Sequence, residues 1–173
     1  YSQAPVLQSE LLQRDRPSSS AMAALRELGY AMVRNAHQPN LGFEGFSAEM
    51  GLYLTVLKPF GIHGADKKGH FCFREPQADG NGPTLKAAWS ILADALEISL
   101  ADAYTIWSLP PFGMKAGIMP ILALAILLAN REHLAVYLEG VFQTDFDDVF
   151  VDKLLQKPDN IRIKRVDRST KEA

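Results

Sequence analysis

From Ala116 to Ala129 the chain carries fourteen residues without one polar side chain, and this run limits what the rest can fold into. A helix with no polar face is satisfied only when other elements cover it on every side. The run is too short for a bilayer, which asks for about 20 apolar residues, and Gly117 and Pro120 fall within it. It is therefore expected to be a core helix. Pro120 is tolerable in or near the first turn, where its missing N–H has no intrahelical partner to lose. Enclosing such a helix needs a substantial apolar lining, and 173 residues at 47% hydrophobic and 22% charged supply one.

The apolar spacing around that run predicts the enclosing elements. Val6, Leu7, Leu11 and Leu12 form a short helical stripe, broken at Pro17-Ser18-Ser19-Ser20. Those serines offer caps to a helix through Ala21, Leu25, Leu28 and Met32 that fades near His37-Gln38-Pro39. Ser47, with Glu49 and Met50, opens a further helix through Leu52, Tyr53, Val56 and Leu57, stopped by Pro59 and Gly61. His63 to Gly69 reads as a turn before a short strand from His70 to Phe73, and Gln77 to Pro83 as a polar loop. Thr84 is the expected cap of a helix with Leu85, Trp89, Leu92 and Leu96 inward. Ser99 caps another, with Ala103, Ile106 and Trp107, that ends at Leu109-Pro110-Pro111. Beyond the apolar run, Leu134–Leu138 and Val141–Gln143 flank Glu139-Gly140, a hairpin turn. Thr144 caps a helix with an acidic start through Phe146, Phe150 and Leu154, which Pro158 ends. Ile161, Ile163 and Val166 then alternate with basic residues as a final strand.

The expected class is mainly α with short β-hairpin elements (α+β). A helical segment with a short strand, residues 1–76, precedes a winged-helix-like domain, residues 84–168, across a loop at 77–83; a single compact unit is the alternative.

Chemistry is sparse in the sequence. A net charge of -2 gives no global pull on nucleic acid or anionic lipid. Cys72 is the single cysteine, which excludes an internal disulfide and fits a reducing compartment. The start at Tyr1, with no initiator methionine and no signal-like segment, is expected of a piece cut from a cytosolic chain, with a processed secreted protein as the alternative. His70 shares a strand face with Cys72, so the two could form a thiol–imidazole pair; a structural cysteine is the expectation. Asp145, Asp147, Asp148 and Asp152 lack the glycine and closing glutamate of a calcium loop and suit a helix start. His37, His63, His70 and His133 show no paired metal spacing, and there is neither a Walker phosphate loop nor a Gly-x-Ser-x-Gly elbow. No catalytic residue, metal or cofactor is expected.

Nucleic acid would have to be met by local charge. The helix that would enter a DNA groove is the apolar run itself, so the usual docking mode is disfavoured. Arg162, Lys164, Arg165 and Arg168 remain, with Arg162 and Lys164 on the face opposite Ile161 and Ile163, and Lys67 with Lys68 nearer the middle. Two readings stand for the C-terminal group: phosphate contact, or an edge strand protected from self-pairing by its charge.

Two stretches carry a resemblance. One comprises Ser9-Glu10-Leu11-Leu12-Gln13-Arg14, Ser18-Ser19-Ser20, Gly42-Phe43-Glu44-Gly45 and Glu49-Met50-Gly51-Leu52-Tyr53. The other is Pro111-Phe112-Gly113-Met114-Lys115-Ala116-Gly117-Ile118-Met119-Pro120, the apolar helix, and Val136-Tyr137-Leu138-Glu139-Gly140. Together they resemble a winged-helix-like accessory region of very large bacterial multidomain P-loop ATPases, some of them phage-defence proteins of the BREX-like type. The resemblance implies a non-catalytic module in the cytoplasm whose partners are other domains of a parent ATPase or a separate protein, with DNA as the alternative. The ATP site would lie elsewhere in the parent.

Overall fold

The architecture follows from how the apolar run is enclosed. A computed structural model describes residues 19–45, 47–77 and 82–166. The chain is mixed α/β and about 51% helical. The stripe at Val6 to Leu12 and the basic residue Arg168 lie outside the described residues.

Helix α1, Ser19–Arg34, buries Ala21, Leu25, Leu28 and Met32, the stripe its spacing predicts. A 3-10 turn, Pro39–Gly42, leads to α2, Ala48–Leu52, where the Ser47 hydroxyl accepts from the Met50 N–H at 3.3 Å as expected. A π-helical turn, Tyr53–Leu57, continues it and aims Tyr53, Val56 and Leu57 inward. The segment read as a turn before a strand is itself half strand. β1, His63–Ala65, pairs antiparallel with β2, Phe71–Phe73, and the turn contracts to Asp66–His70. Asp66 holds that turn, its carboxylate accepting from the Lys68 and His70 backbone at 2.8 and 2.9 Å.

Helix α3, Gly82–Ala93, begins two residues before Thr84, so the expected cap lies within the first turn. The end of the stripe predicted for it departs from the helix: Leu96 is exposed, and β3, Glu97–Ser99, follows at once. Ser99 caps α4, Leu100–Ser108, accepting from the Asp102 N–H at 3.1 Å. Trp89 and Trp107 are both core residues, and the Trp107 indole donates to the Ala88 carbonyl at 2.7 Å.

The apolar run forms α5, Ile118–Ala129, with Pro120 in its first turn and every residue from Ile118 to Leu127 buried. It lies against α1, α3, α4, α6 and β2. One cluster of buried side chains runs from Ala24 in α1 through α5 to Ile163 in the last strand.

Strands β4, Leu134–Leu138, and β5, Val141–Phe142, form the expected hairpin, with Glu139 and Gly140 both left-handed (φ 52° and 82°). Helix α6, Asp148–Gln156, is capped by Asp147, which accepts from the Phe150 N–H at 2.9 Å, rather than by Thr144. The Thr144 carbonyl is instead held by the Arg131 guanidinium at 2.8 Å, in a bend that precedes the helix. Helix α6 packs on α1 through Tyr30, whose hydroxyl donates to Asp152 at 2.6 Å. That bond, with burial and the Asp152 charge, pushes the phenol up to about 12. Arg26 and Arg34 add ion pairs to Asp152 and Asp148. Gly29 marks the crossing point, because a Cβ there would sit 2.6 Å from Val151.

Pro158–Asn160 makes a 3-10 turn into β6, Ile161–Arg165. Here the edge-strand reading fails. The sheet order is β3-β6-β4-β5, all antiparallel, so the basic strand is an interior strand with neighbours on both sides. Its charges therefore do not guard an open edge.

Candidate interaction surface

Register decides which side chains share a face, since residues directly opposite across antiparallel strands point the same way. Ile98, Ile163 and Val136 stand opposite one another and face the core, joined by Ile161 with Leu138. The other face carries two rows. One reads Ser99, Arg162, Tyr137, Phe142 across all four strands; the next reads Glu97, Lys164, Ala135. Arg162 and Lys164 are exposed on this outer face, as their alternation with Ile161 and Ile163 predicts.

Tyr137 stands directly opposite Arg162 on this face, and Phe142 lies one strand beyond it. Tyr137 is half-buried and Phe142 is 50% exposed, and their centroids are 5.7 Å apart at 60°. Val141, at the hairpin tip, is 64% exposed. Glu97 is the acidic member of the face, with its carboxylate 3.6 Å from the Arg162 guanidinium. The three charged groups thus leave one net positive charge on the outer face.

Next to the hairpin, where the chain from Gln143 to Phe146 leaves the sheet, is an open cleft of about 490 Å³. Arg131, Tyr137, Phe142, Gln143, Thr144 and Phe146 line it, together with other residues of β4. Arg131 is anchored there, stacked over the Phe146 ring at 4.8 Å and 3.6 Å from Asp145.

The other cationic candidates are placed differently. Arg165 turns to the end of α3, donating to the Ala93 carbonyl at 3.2 Å with Asp94 at 3.9 Å. Lys67 and Lys68 are exposed on the β1–β2 turn, in a separate sheet. Arg168 lies outside the described residues. The structure therefore brings together two of the six, Arg162 and Lys164, and supplies them with Tyr137 and Phe142. Sequence reasoning missed both rings as members of a surface. The available signal was the alternation in β4, combined with a two-residue turn that sets Phe142 opposite Tyr137.

The acidic constellation resolves into contacts within the fold. Asp145, Asp147, Asp148 and Asp152 pair with Arg131, the α6 N-terminus, Arg34 and Tyr30 respectively. Cys72 is half-buried and lines a shallow cleft with His37 and His133, whereas His70 is exposed on the turn. Among the described residues no three His, Cys, Asp or Glu side chains come together as a metal site, and no helix is long and apolar enough to cross a membrane. Comparison with protein-family models, curated proteins and solved structures gives no match to the chain.

Proposed function

We propose that this chain is a non-catalytic interaction module of a larger bacterial cytoplasmic ATPase of the phage-defence type, and that its C-terminal half is winged-helix-like. The order α3-β3-α4-α5-β4-β5 supports the second part: helix, strand, two helices and a hairpin follow one another as in a winged helix. Insertion of β6 between β3 and β4 is a departure from a three-stranded wing. Because α5 is buried from Ile118 to Leu127, contacts with a partner fall to the hairpin and the outer face of the sheet.

The observation that carries the reading is the exposed hairpin tip, where Val141 and Phe142 stand in solvent on the outermost strand beside an open cleft. Exposed apolar groups at such a place mark a contact surface, with Phe142 on the outer face and Val141 on the side it shares with Leu138. A photo-crosslinking phenylalanine analogue at position 142 tests it in cells. The expected adduct is to a polypeptide segment of a nucleotide-binding ATPase, weakened by Val141→Ser. Absence of an adduct, or adducts only to polypeptides without such a domain, overturns the reading.

A second reading, nucleic-acid binding, is favoured by one specific observation: the exposed cations Arg162 and Lys164 share a sheet face with two aromatic rings. Binding to labelled oligonucleotides across a salt series tests it, and no binding at low salt removes it.

A further inference from the structure

We propose that the outer face of the four-stranded sheet binds single-stranded nucleic acid, with bases stacked on Tyr137 and Phe142 and phosphates held by Arg162 and Lys164. The inference rests on the nucleic-acid reading above and names the form of nucleic acid that this face suits.

The row Ser99, Arg162, Tyr137, Phe142 crosses four strands. At about 4.8 Å per strand it spans about 14 Å, the length of two or three stacked bases. Aromatic side chains on such a face accept any unpaired base, because every base offers a flat π surface, and cations beside them meet the backbone. A duplex gains nothing from these rings, since its bases are already stacked on one another. It also lacks a helix to receive, because α5 is enclosed in the core. The cleft beyond Phe142 is lined by the polar residues Gln143 and Thr144.

The charge on the face fits stacking better than electrostatic capture. Glu97 lies 3.6 Å from Arg162, and at the cleft Asp145 lies 3.6 Å from Arg131, with Glu132 on the same rim. Lys67, Lys68 and Arg165 point elsewhere. Two phosphate contacts to a single strand correspond to a slope of about -1.4 in log affinity against log salt, far shallower than a phosphate-tracking clamp gives.

The test is fluorescence anisotropy of the full chain with labelled single strands of about 12 nucleotides, oligo-dT and oligo-rU, and with a duplex of equal length, from about 25 to about 200 mM salt. The expected result is preference for single strands and the shallow slope. Phe142→Ala and Tyr137→Leu should each weaken binding about fivefold or more, and Tyr137→Phe should retain it. Arg162→Ala should flatten the slope by about 0.7. Circular dichroism of each variant separates lost binding from lost fold, and Phe142, half in solvent, is the safer of the two aromatic changes. Single-strand binding that ignores both aromatic variants overturns the stacking proposal while leaving nucleic-acid binding in place. Preference for duplex, lost with Lys67→Ala and Lys68→Ala, overturns it and moves the site. No binding of either form at about 25 mM salt overturns both readings, and a protein adduct at position 142 then gives this face to a polypeptide partner.

Discussion

The two sheets of this molecule use their polar side chains in opposite ways. In the two-stranded sheet they are spent on the fold. His63, 2% exposed, has its Nε2–H donating to the Ala36 carbonyl at 2.8 Å, which leaves Nδ1 bare to accept from the Tyr53 hydroxyl at 2.8 Å. A carbonyl accepts only, so the neutral tautomer is set by the surroundings. Arg74 lies across β1, donating to the Gly61 and Ala65 carbonyls at 2.8 and 2.9 Å. Gly64 admits it, since a Cβ there would sit 2.8 Å from the guanidinium. In the four-stranded sheet, by contrast, one face builds the core and the other leaves Arg162, Lys164 and Phe142 in solvent. Residues occupied by the fold are poor candidates for recognition, and the second sheet is where side chains remain available.

Substitution should break that comparison if it is mistaken. The largest effect is expected from His63→Ala, which opens a cavity and strands the Tyr53 hydroxyl and Ala36 carbonyl, lowering stability by about 3 kcal/mol in urea unfolding. A loss below about 1 kcal/mol would mean that the imidazole is not structural. Arg74→Met keeps the aliphatic stem but removes two charge-assisted bonds and should cost about 1–2 kcal/mol, read the same way.

Acid sharpens the contrast. Burial, with Arg74 and His37 nearby, holds His63 below its ordinary value of 6.5, although the Ala36 bond works the other way. The unfolded chain then binds the proton more readily than the folded one. The His63 contribution is fully present above pH 6.5 and is lost as pH falls from there toward the folded value. Urea midpoints measured across that window should decline in the natural protein, and this component should vanish in His63→Gln. The smallest effect belongs to the other sheet: Arg162→Ala and Lys164→Ala should each change stability by less than about 0.5 kcal/mol. A larger loss would place them in the fold beside His63.

What could be read from the sequence was local. The α1 stripe, the buried α5, the Ser47 and Ser99 caps and the Glu139-Gly140 turn all depend on residues a few positions apart, where periodicity and cap chemistry act. β1 and β3 escaped because His-Gly-Ala and Glu-Ile-Ser are too short to alternate, and partners elsewhere in the chain make them strands. The pattern Ile161-Arg162-Ile163-Lys164 tells which side chains face water but not what lies on either side, so an interior strand passed for an edge. The candidate surface was legible to the same extent. Its cations announce themselves in one strand, whereas the neighbourhood of Tyr137 and Arg162 is a tertiary fact.

The interior position of β6 also bears on how the molecule is made. β3 and β4 do not pair with each other; both pair with a strand that begins at Ile161, long after Glu97 and Leu134 have been synthesised. Until β6 is in place, both strands have unpaired hydrogen-bonding edges, and Ile98 and Val136 lack their Ile163 neighbour. Closure joins segments far apart in sequence, which is slow by nature. The interval before it is when a nascent chain of this kind is most exposed to aggregation and most in need of a chaperone.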